Sequence, residues 1–292
     1  MSLKAIGVKP GDEVIVPGLT FKATAGAVET CGATPIIVDV EEDSHLMSID
    51  AMRAAINLKT KAIIPVHLEG AMVNMEKVFS TIKTWDDVYG HKIQVIEDAA
   101  QAFGAEENGQ KAGSLGVTGC FSMYPAKLFG GFGDNGAIVT NDDELAEELR
   151  DMRNHYKGTN KGYGGNFRMD NLQAAILNVK FKYLEDILRR RKEIALLYED
   201  GLNGLPLKRP LLLDGRVWQD YVIRTEDRDD LYAHLATQGI ETMKAEYPFT
   251  VDTVKPPITV ILERETLRIP CNETLTTPEI FEVIKVIRSF YE

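Results

Sequence analysis

Short apolar runs rich in β-branched residues recur through the first half of the chain, at Glu13–Val16, Pro35–Val40, Ala62–Val66, Gln94–Ile96, Cys120–Tyr124 and Ala137–Thr140. They are nearly continuous rather than alternating in polarity, as strands covered on both faces are. Segments of helical period lie between several of them. Ser48 is placed to cap one through Ala55 and Asn74 one through Ile82. Asn141 with Glu144 makes a capping box for a helix running towards Arg153. This alternation predicts an α/β fold, a mostly parallel sheet with helices on both faces.

From about Asn171 the texture changes. Leu172 to Tyr198 reads as one long charged helix, and Arg189, Arg190, Arg191 and Lys192 in its middle read as a solvated face. A strand at Tyr221–Arg224 follows, then a helix from Arg228 to Thr237 stopped by Gly239. Thr277-Pro278-Glu279 opens a final helix with Ile280, Ile284 and Ile287 on one face. The pattern predicts a large domain over 1–178 and a small α+β C-terminal domain over 179–292.

Composition narrows the partners. Among 292 residues, a formal net charge of −11 weighs against a nucleic-acid backbone, although a local basic pocket can still hold a small phosphorylated ligand. Cys31, Cys120 and Cys271 are far apart and odd in number, which gives neither a disulfide framework nor a metal motif. The five histidines show no ligand spacing, so no metal site is expected. No leader-like start and no apolar run long enough to span a bilayer is present, and a cytoplasmic location is expected.

Gly131-Phe-Gly-Asp-Asn-Gly136 matches the dinucleotide fingerprint, but an apolar strand follows it where the fingerprint requires a helix, so it is set aside. Two other segments carry more. In Val95-Ile-Glu-Asp-Ala-Ala-Gln-Ala102 a buried strand ends at Asp98, which puts a carboxylate at the edge where open α/β sheets bind ligands. In Phe121-Ser-Met-Tyr-Pro-Ala-Lys-Leu-Phe-Gly130 a lysine follows a strand and a proline turn. Either feature alone has an ordinary reading, as a helix cap or a solvated lysine.

Together they resemble the DegT/DnrJ/EryC1/StrS sugar aminotransferases, pyridoxal-phosphate enzymes of fold type I with an aspartate-aminotransferase-like large domain. The likeness extends through Gly11-Asp-Glu-Val-Ile-Val-Pro17, Lys61-Ala-Ile-Ile-Pro-Val-His67, Ala112-Gly-Ser-Leu-Gly116, Gly133-Asp-Asn-Gly-Ala-Ile-Val-Thr-Asn141 and Asn166-Phe-Arg-Met-Asp-Asn-Leu-Gln-Ala-Ala175. The resemblance implies that Lys127 carries the cofactor as a Schiff base and moves the substrate proton, and that Asp98 pairs with the pyridine nitrogen. It further implies that Gln101 touches the ring hydroxyl, Ser122 bonds the phosphate and Phe21 stacks on the ring. Asn166 would reach the phosphate of a neighbouring subunit, which implies a homodimer with shared sites. The implied reaction runs through the pyridoxamine form and transfers an amino group, from glutamate or another amino acid, to a keto-sugar nucleotide. Some relatives carry histidine at the lysine position and catalyse dehydration, so Lys127 favours amino transfer.

Three departures bear on this. In complete family members a further stretch precedes the Gly11 segment and includes a helix whose amides cradle the phosphate. Ser2–Gly7 matches only the end of that helix, so the match starts partway through the large domain. A truncated, catalytically silent partner subunit is the alternative it raises. Glu69 stands where many relatives have an aromatic, and Leu128 where asparagine is frequent. His67, at a strand end near the site, is expected to be structural.

Overall fold

The computed structural model describes residues 1–159, 162, 164–245 and 255–292. Its first part contains α1 (Ser2–Ala5), β1 (Glu13–Pro17), α2 (Ala23–Thr30), β2 (Thr34–Val38), α3 (Ile49–Ala55), β3 (Thr60–Ile63), α4 (Met75–Tyr89) and β4 (Gln94–Asp98). A short hairpin of β5 (Glu106–Glu107) and β6 (Gln110–Lys111) precedes β7 (Thr118–Ser122), β8 (Gly136–Val139) and α5 (Asp143–Met152). After α6 (Asn171–Phe181) and α7 (Leu184–Gly201) come β9 (Tyr221–Arg224), α8 (Arg228–Thr237), β10 (Met243–Lys244), α9 (Pro257–Glu265), β11 (Thr266–Ile269) and α10 (Thr277–Tyr291).

The main sheet runs β2-β1-β3-β4-β7-β8, parallel except for β8, which lies antiparallel to β7. Its strands are buried on both faces. Ile15, Ile63 and Val95 face one core, while Val14, Val16, Ala62, Ile64 and Ile96 face the other. Each such side chain contributes about 1.5–3 kcal/mol on burial, which drives the layered arrangement. Because β2 and β3 flank β1 on opposite sides, the order reverses there, and the carboxyl ends of the strands open a crevice beside the reversal. The smaller sheet, β10-β11-β9, is antiparallel and packs with α8 and α10.

Several expected details are corrected. Asp142, not Asn141, caps α5: its Oδ1 accepts the Leu145 N–H at 3.0 Å, while the Asn141 amide donates to the Ser114 carbonyl at 3.1 Å. Helix α4 continues past Ile82 to Tyr89 and ends on left-handed Gly90. The single long helix is two, divided at Lys182–Tyr183, where Tyr183 leaves helical geometry at φ −106°, ψ 7°. No glycine or proline marks that joint. The basic run is not a solvated face throughout, since Arg191 is buried and ion-paired with Glu273 at 2.9 Å. Its guanidinium also donates to the carbonyls of Trp218, Gln219 and Cys271, a use of its several fixed N–H groups that no lysine matches.

Helix α7 joins the two cores, with Leu184 and Ile187 in the first and Ile194, Ala195 and Tyr198 in the second. Helix α9, which no sequence signal announced, returns to the large sheet. Asp39 just beyond β2 accepts the N–H groups of Ile258 and Thr259, both at 3.0 Å, and so caps it from across the chain. The capping box of α10 forms between Thr276 and Glu279.

Candidate functional site

Of the residues singled out from sequence, Asp98 and Ser122 end strands β4 and β7, and Gln101 and Lys127 follow them in the chain. Asp98 is the last residue of β4 and lies opposite Cys120 of β7. Its Oδ2 accepts the Thr24 hydroxyl at 2.9 Å, and its Oδ1 accepts the Ala100 N–H at 3.1 Å. Thr24, on α2, is in turn paired with the Thr20 hydroxyl at 2.9 Å. These bonds fix the direction of the carboxylate.

Lys127 sits in the turn after β7. Its N–H bonds the Tyr124 carbonyl at 2.9 Å and its own carbonyl accepts from Gly130 at 2.8 Å, so the turn is closed without the lysine side chain. The side chain is half-buried. Burial holds the Lys127 amine below its usual pKa, and the nearby Arg268 charge adds to this. The carboxylates of Asp220 and Asp98 pull the other way without cancelling it.

Gln101, buried after β4, is oriented by one bond: the Glu69 N–H donates to its Oε1 at 2.7 Å. Its Nε2 is therefore a donor with no partner among the described residues. Glu69 holds that geometry in a left-handed conformation, φ 55°. Gly70 after it has φ 86°, and a Cβ there would fall 1.4 Å from the Val217 carbonyl oxygen, so only glycine fits. The Glu69 side chain is itself buried between His45, at 3.0 Å, and Arg216, at 3.2 Å. Burial would raise its carboxyl, but the interaction with His45 and the Arg216 charge outweigh it and hold the pKa below the usual value.

A cleft of about 960 Å³ brings Asp98, Thr24 and Ser122 together, bordered by Phe167 and Arg153. Lys127, Gln101, Phe21 and Asn166 lie outside its lining. Phe21 is 60% exposed beyond β1. Asn166 is exposed and accepts from Arg168 Nε at 3.0 Å.

His67 and Glu97 are both fully buried and bonded at 2.9 Å. The Val73 N–H donates to His67 Nδ1, which leaves the ring proton on Nε2 to donate to Glu97. Glu97 also accepts the N–H groups of Gly113, Leu115 and Gly116 at 2.8, 2.7 and 2.6 Å. His67 is thus structural, and the Ala112–Gly116 motif serves to wrap that buried carboxylate.

Sequence reasoning missed Gln219 and Asp220. Gln219 bonds both peptide groups flanking Lys127, and the Asp220 charge acts on the Lys127 amine. No motif marks them. Their proximity arises because the segment before β9 crosses behind the Lys127 turn, some ninety residues away in sequence. Among the described residues no cluster of three or more His, Cys, Asp or Glu is placed to hold a metal, and no helix is long and apolar enough to cross a membrane.

Comparison with known proteins agrees with this architecture. A family model described as the DegT/DnrJ/EryC1/StrS aminotransferase family matches residues 1–288. A pleiotropic regulatory protein of Geobacillus stearothermophilus is 44% identical over 83% of this chain and 66% of its own length. A dTDP-3-amino-3,4,6-trideoxy-alpha-D-glucose transaminase of Streptomyces venezuelae is 36% identical over 100% of this chain and 80% of its own. The crystal structure of S. venezuelae DesV in complex with a ketimine intermediate superposes with a TM-score of 0.92 at 36% identity, over 100% of this chain and 81% of that one. The chain thus spans between about two thirds and four fifths of the length of these relatives. Matched along nearly its whole length by sequence and by fold, it belongs to the DegT/DnrJ/EryC1/StrS aminotransferase family.

Proposed function

We propose that the chain is a pyridoxal-phosphate-dependent aminotransferase that moves an amino group from an amino acid, with glutamate the first candidate, to a nucleotide-linked keto-sugar. The observation that carries this is a half-buried lysine of lowered pKa beside a strand-end carboxylate, in a chain of this family. The nucleotide-sugar class is that of the Streptomyces venezuelae transaminase.

The donor set suits the cofactor. The Asp98 carboxylate has lone pairs left beyond its two bonds and would face the ring nitrogen, keeping it protonated. Gln101 Nε2 is a free donor for the ring oxygen, the Ser122 hydroxyl would take the phosphate, and exposed Phe21 offers a flat apolar face for the ring. When bound, pyridoxal phosphate supplies an electron-withdrawing ring and a reactive carbonyl carbon. Lys127 Nζ supplies the nucleophile, and after release it moves the proton at the substrate carbon. A depressed pKa raises the neutral fraction of that amine, the form both roles use.

The test is to reduce the protein with borohydride in the presence of pyridoxal phosphate and map the label, then assay for amino-sugar nucleotide with glutamate. Labelling on the Lys127 peptide and product formation are expected. Labelling spread over surface lysines, or no product from any keto-sugar nucleotide, would sink the reading. Asp98→Asn keeps one acceptor, for the Ala100 N–H, presents an NH₂ to the Thr24 hydroxyl and removes the charge, and turnover should fall by about 10²–10³-fold while the chain stays folded. Unaltered turnover would remove Asp98 from the role.

The active form is a cytoplasmic homodimer in which Asn166 acts on the partner's cofactor phosphate. Exposed Phe132, Phe167, Leu172, Val179 and Phe181 support this, as large apolar side chains open to solvent in a single chain. Three unpaired cysteines suit a reducing compartment. Sedimentation should give about twice the 32.5 kDa of one chain, and Leu172→Asp with Phe181→Asp should shift the mass to a single chain. A parent that sediments as one chain would end this part of the reading.

A further inference from the structure

The Lys127 turn is gripped from across the chain. Gln219 is 7% exposed; its Oε1 accepts the Leu128 N–H at 2.7 Å and its Nε2 donates to the Ala126 carbonyl at 3.2 Å. One amide thus bonds the peptide groups on both sides of Lys127. Because the Leu128 N–H requires an oxygen, the orientation of the amide is set, and both its functions are used.

Gln219 is itself held in place. The Arg191 guanidinium donates to the carbonyls of Trp218 and Gln219, both at 3.0 Å, and is anchored in turn on Cys271 and Glu273. Two residues earlier the Val217 N–H bonds the Gly70 carbonyl at 2.9 Å, next to the Glu69 amide that orients Gln101. Arg216 pairs with Glu69 and stacks 4.3 Å over the Trp218 ring. The stretch 216–219 is therefore a braced strut that touches both the Gln101 wall and the Lys127 turn.

We propose that Gln219 is a positioning residue whose two bonds fix the turn carrying Lys127 and keep its amine out of bulk water. This rests on the reading of Lys127 as the cofactor-binding amine. Without the clamp the peptide groups on either side of Lys127 lose their side-chain partner, the turn keeps its main-chain bonds and the contact of Lys180 with the Gly130 carbonyl, and the amine moves toward solvent. Burial, the main cause of its lowered pKa, is then lost, while the Asp220 and Asp98 carboxylates act on a more mobile target.

Gln219→Met, close in volume but with neither a strong donor nor a strong acceptor, tests this in the full chain before any cofactor is added. Three readouts are taken: the pH midpoint of Lys127 acylation by acetic anhydride, amide exchange at Leu128, and the unfolding temperature. The midpoint is expected to rise toward that of an exposed lysine, and Leu128 exchange to quicken by on the order of tenfold. Pyridoxal phosphate affinity, titrated afterwards, should fall in parallel. A lower unfolding temperature with unchanged midpoint and exchange would reduce Gln219 to packing and overturn the proposal. Gln219→Asn, an amide one methylene too short to span both groups, is read the same way should the Met variant not fold. Borohydride labelling of the parent separates the two readings. A parent that labels at Lys127 beside unaffected variants sinks only the clamp, whereas a parent that does not label sinks the role of Lys127 and the clamp with it.

Discussion

Lys127→Ala is expected to lower amino transfer by about 10⁴-fold or more, because one side chain supplies both the nucleophile and the proton-moving base. Two roles in one residue mean that no neighbour retains half of the chemistry. Asp98 and Asp220 carry the wrong charge for the first step, and the nearby cation Arg268 does not deprotonate at working pH. The loss should not come from unfolding. The Lys127 turn is closed through its own peptide groups and by the bond from Leu128 to Gln219, none of which involve the lysine side chain. The folded-state pKa of Lys127 is lowered, so its ammonium costs stability in full below that pKa, and the cost fades as pH rises from there and is gone above the unfolded value. Removing it should therefore leave the unfolding temperature at pH 7 unchanged or slightly raised. Activity assay, borohydride labelling and a melting curve on one preparation decide the matter. Parent-rate turnover in the variant refutes the mechanism, and a collapsed melting temperature refutes the separation of chemistry from fold.

Glu97→Gln should cost about 3–5 kcal/mol of stability, the range for breaking a buried charged hydrogen-bonded set. Glu97 takes four N–H groups, from His67, Gly113, Leu115 and Gly116, and donates none. A glutamine amide offers one oxygen and one NH₂, so at least two of those donors would face a donor. The loop has little room to adjust, since Gly113 has φ 83° and any Cβ there would lie 2.5 Å from the Phe121 ring. Burial would raise the Glu97 carboxyl, but the bond from His67 and the amides of Gly116 and Gly113 prevail and lower its pKa. A depressed carboxyl contributes stability that is complete above its unfolded pKa, the ordinary 4.5, and disappears as pH falls through the folded one. Parent stability should thus decline on the acid side of 4.5 more steeply than that of Glu97→Gln. Equal denaturant midpoints for the two proteins at pH 7 would contradict the account.

The layered α/β body was legible from sequence because its signals are local. Six apolar β-branched runs lie between capped helical segments, and each corresponds to a strand of the main sheet. The carboxylate at the end of β4 and the lysine after β7 were equally legible, since a strand end is a place defined by a few adjacent residues. What stayed hidden depends on residues distant in sequence. Helix α9 has its cap on Asp39, more than two hundred positions away, so no local cap could announce it. Arg191 looked like one of four solvated cations because its burial is decided by carbonyls from two other segments.

Periodicity and punctuation by themselves determined most of the order of elements and placed Asp98 at a strand end and Lys127 in the turn after a strand, while reading the two as one site rests on the resemblance to the family. Only the tertiary structure decided that His67 is bonded to Glu97, that Gln101 is turned by the Glu69 amide, and that Gln219 clasps the lysine turn. The physical reason is one of range. Propensity and hydrophobic period act over a few residues, whereas the satisfaction of a buried polar group is settled by whichever donors the folded chain brings within about 3 Å of it.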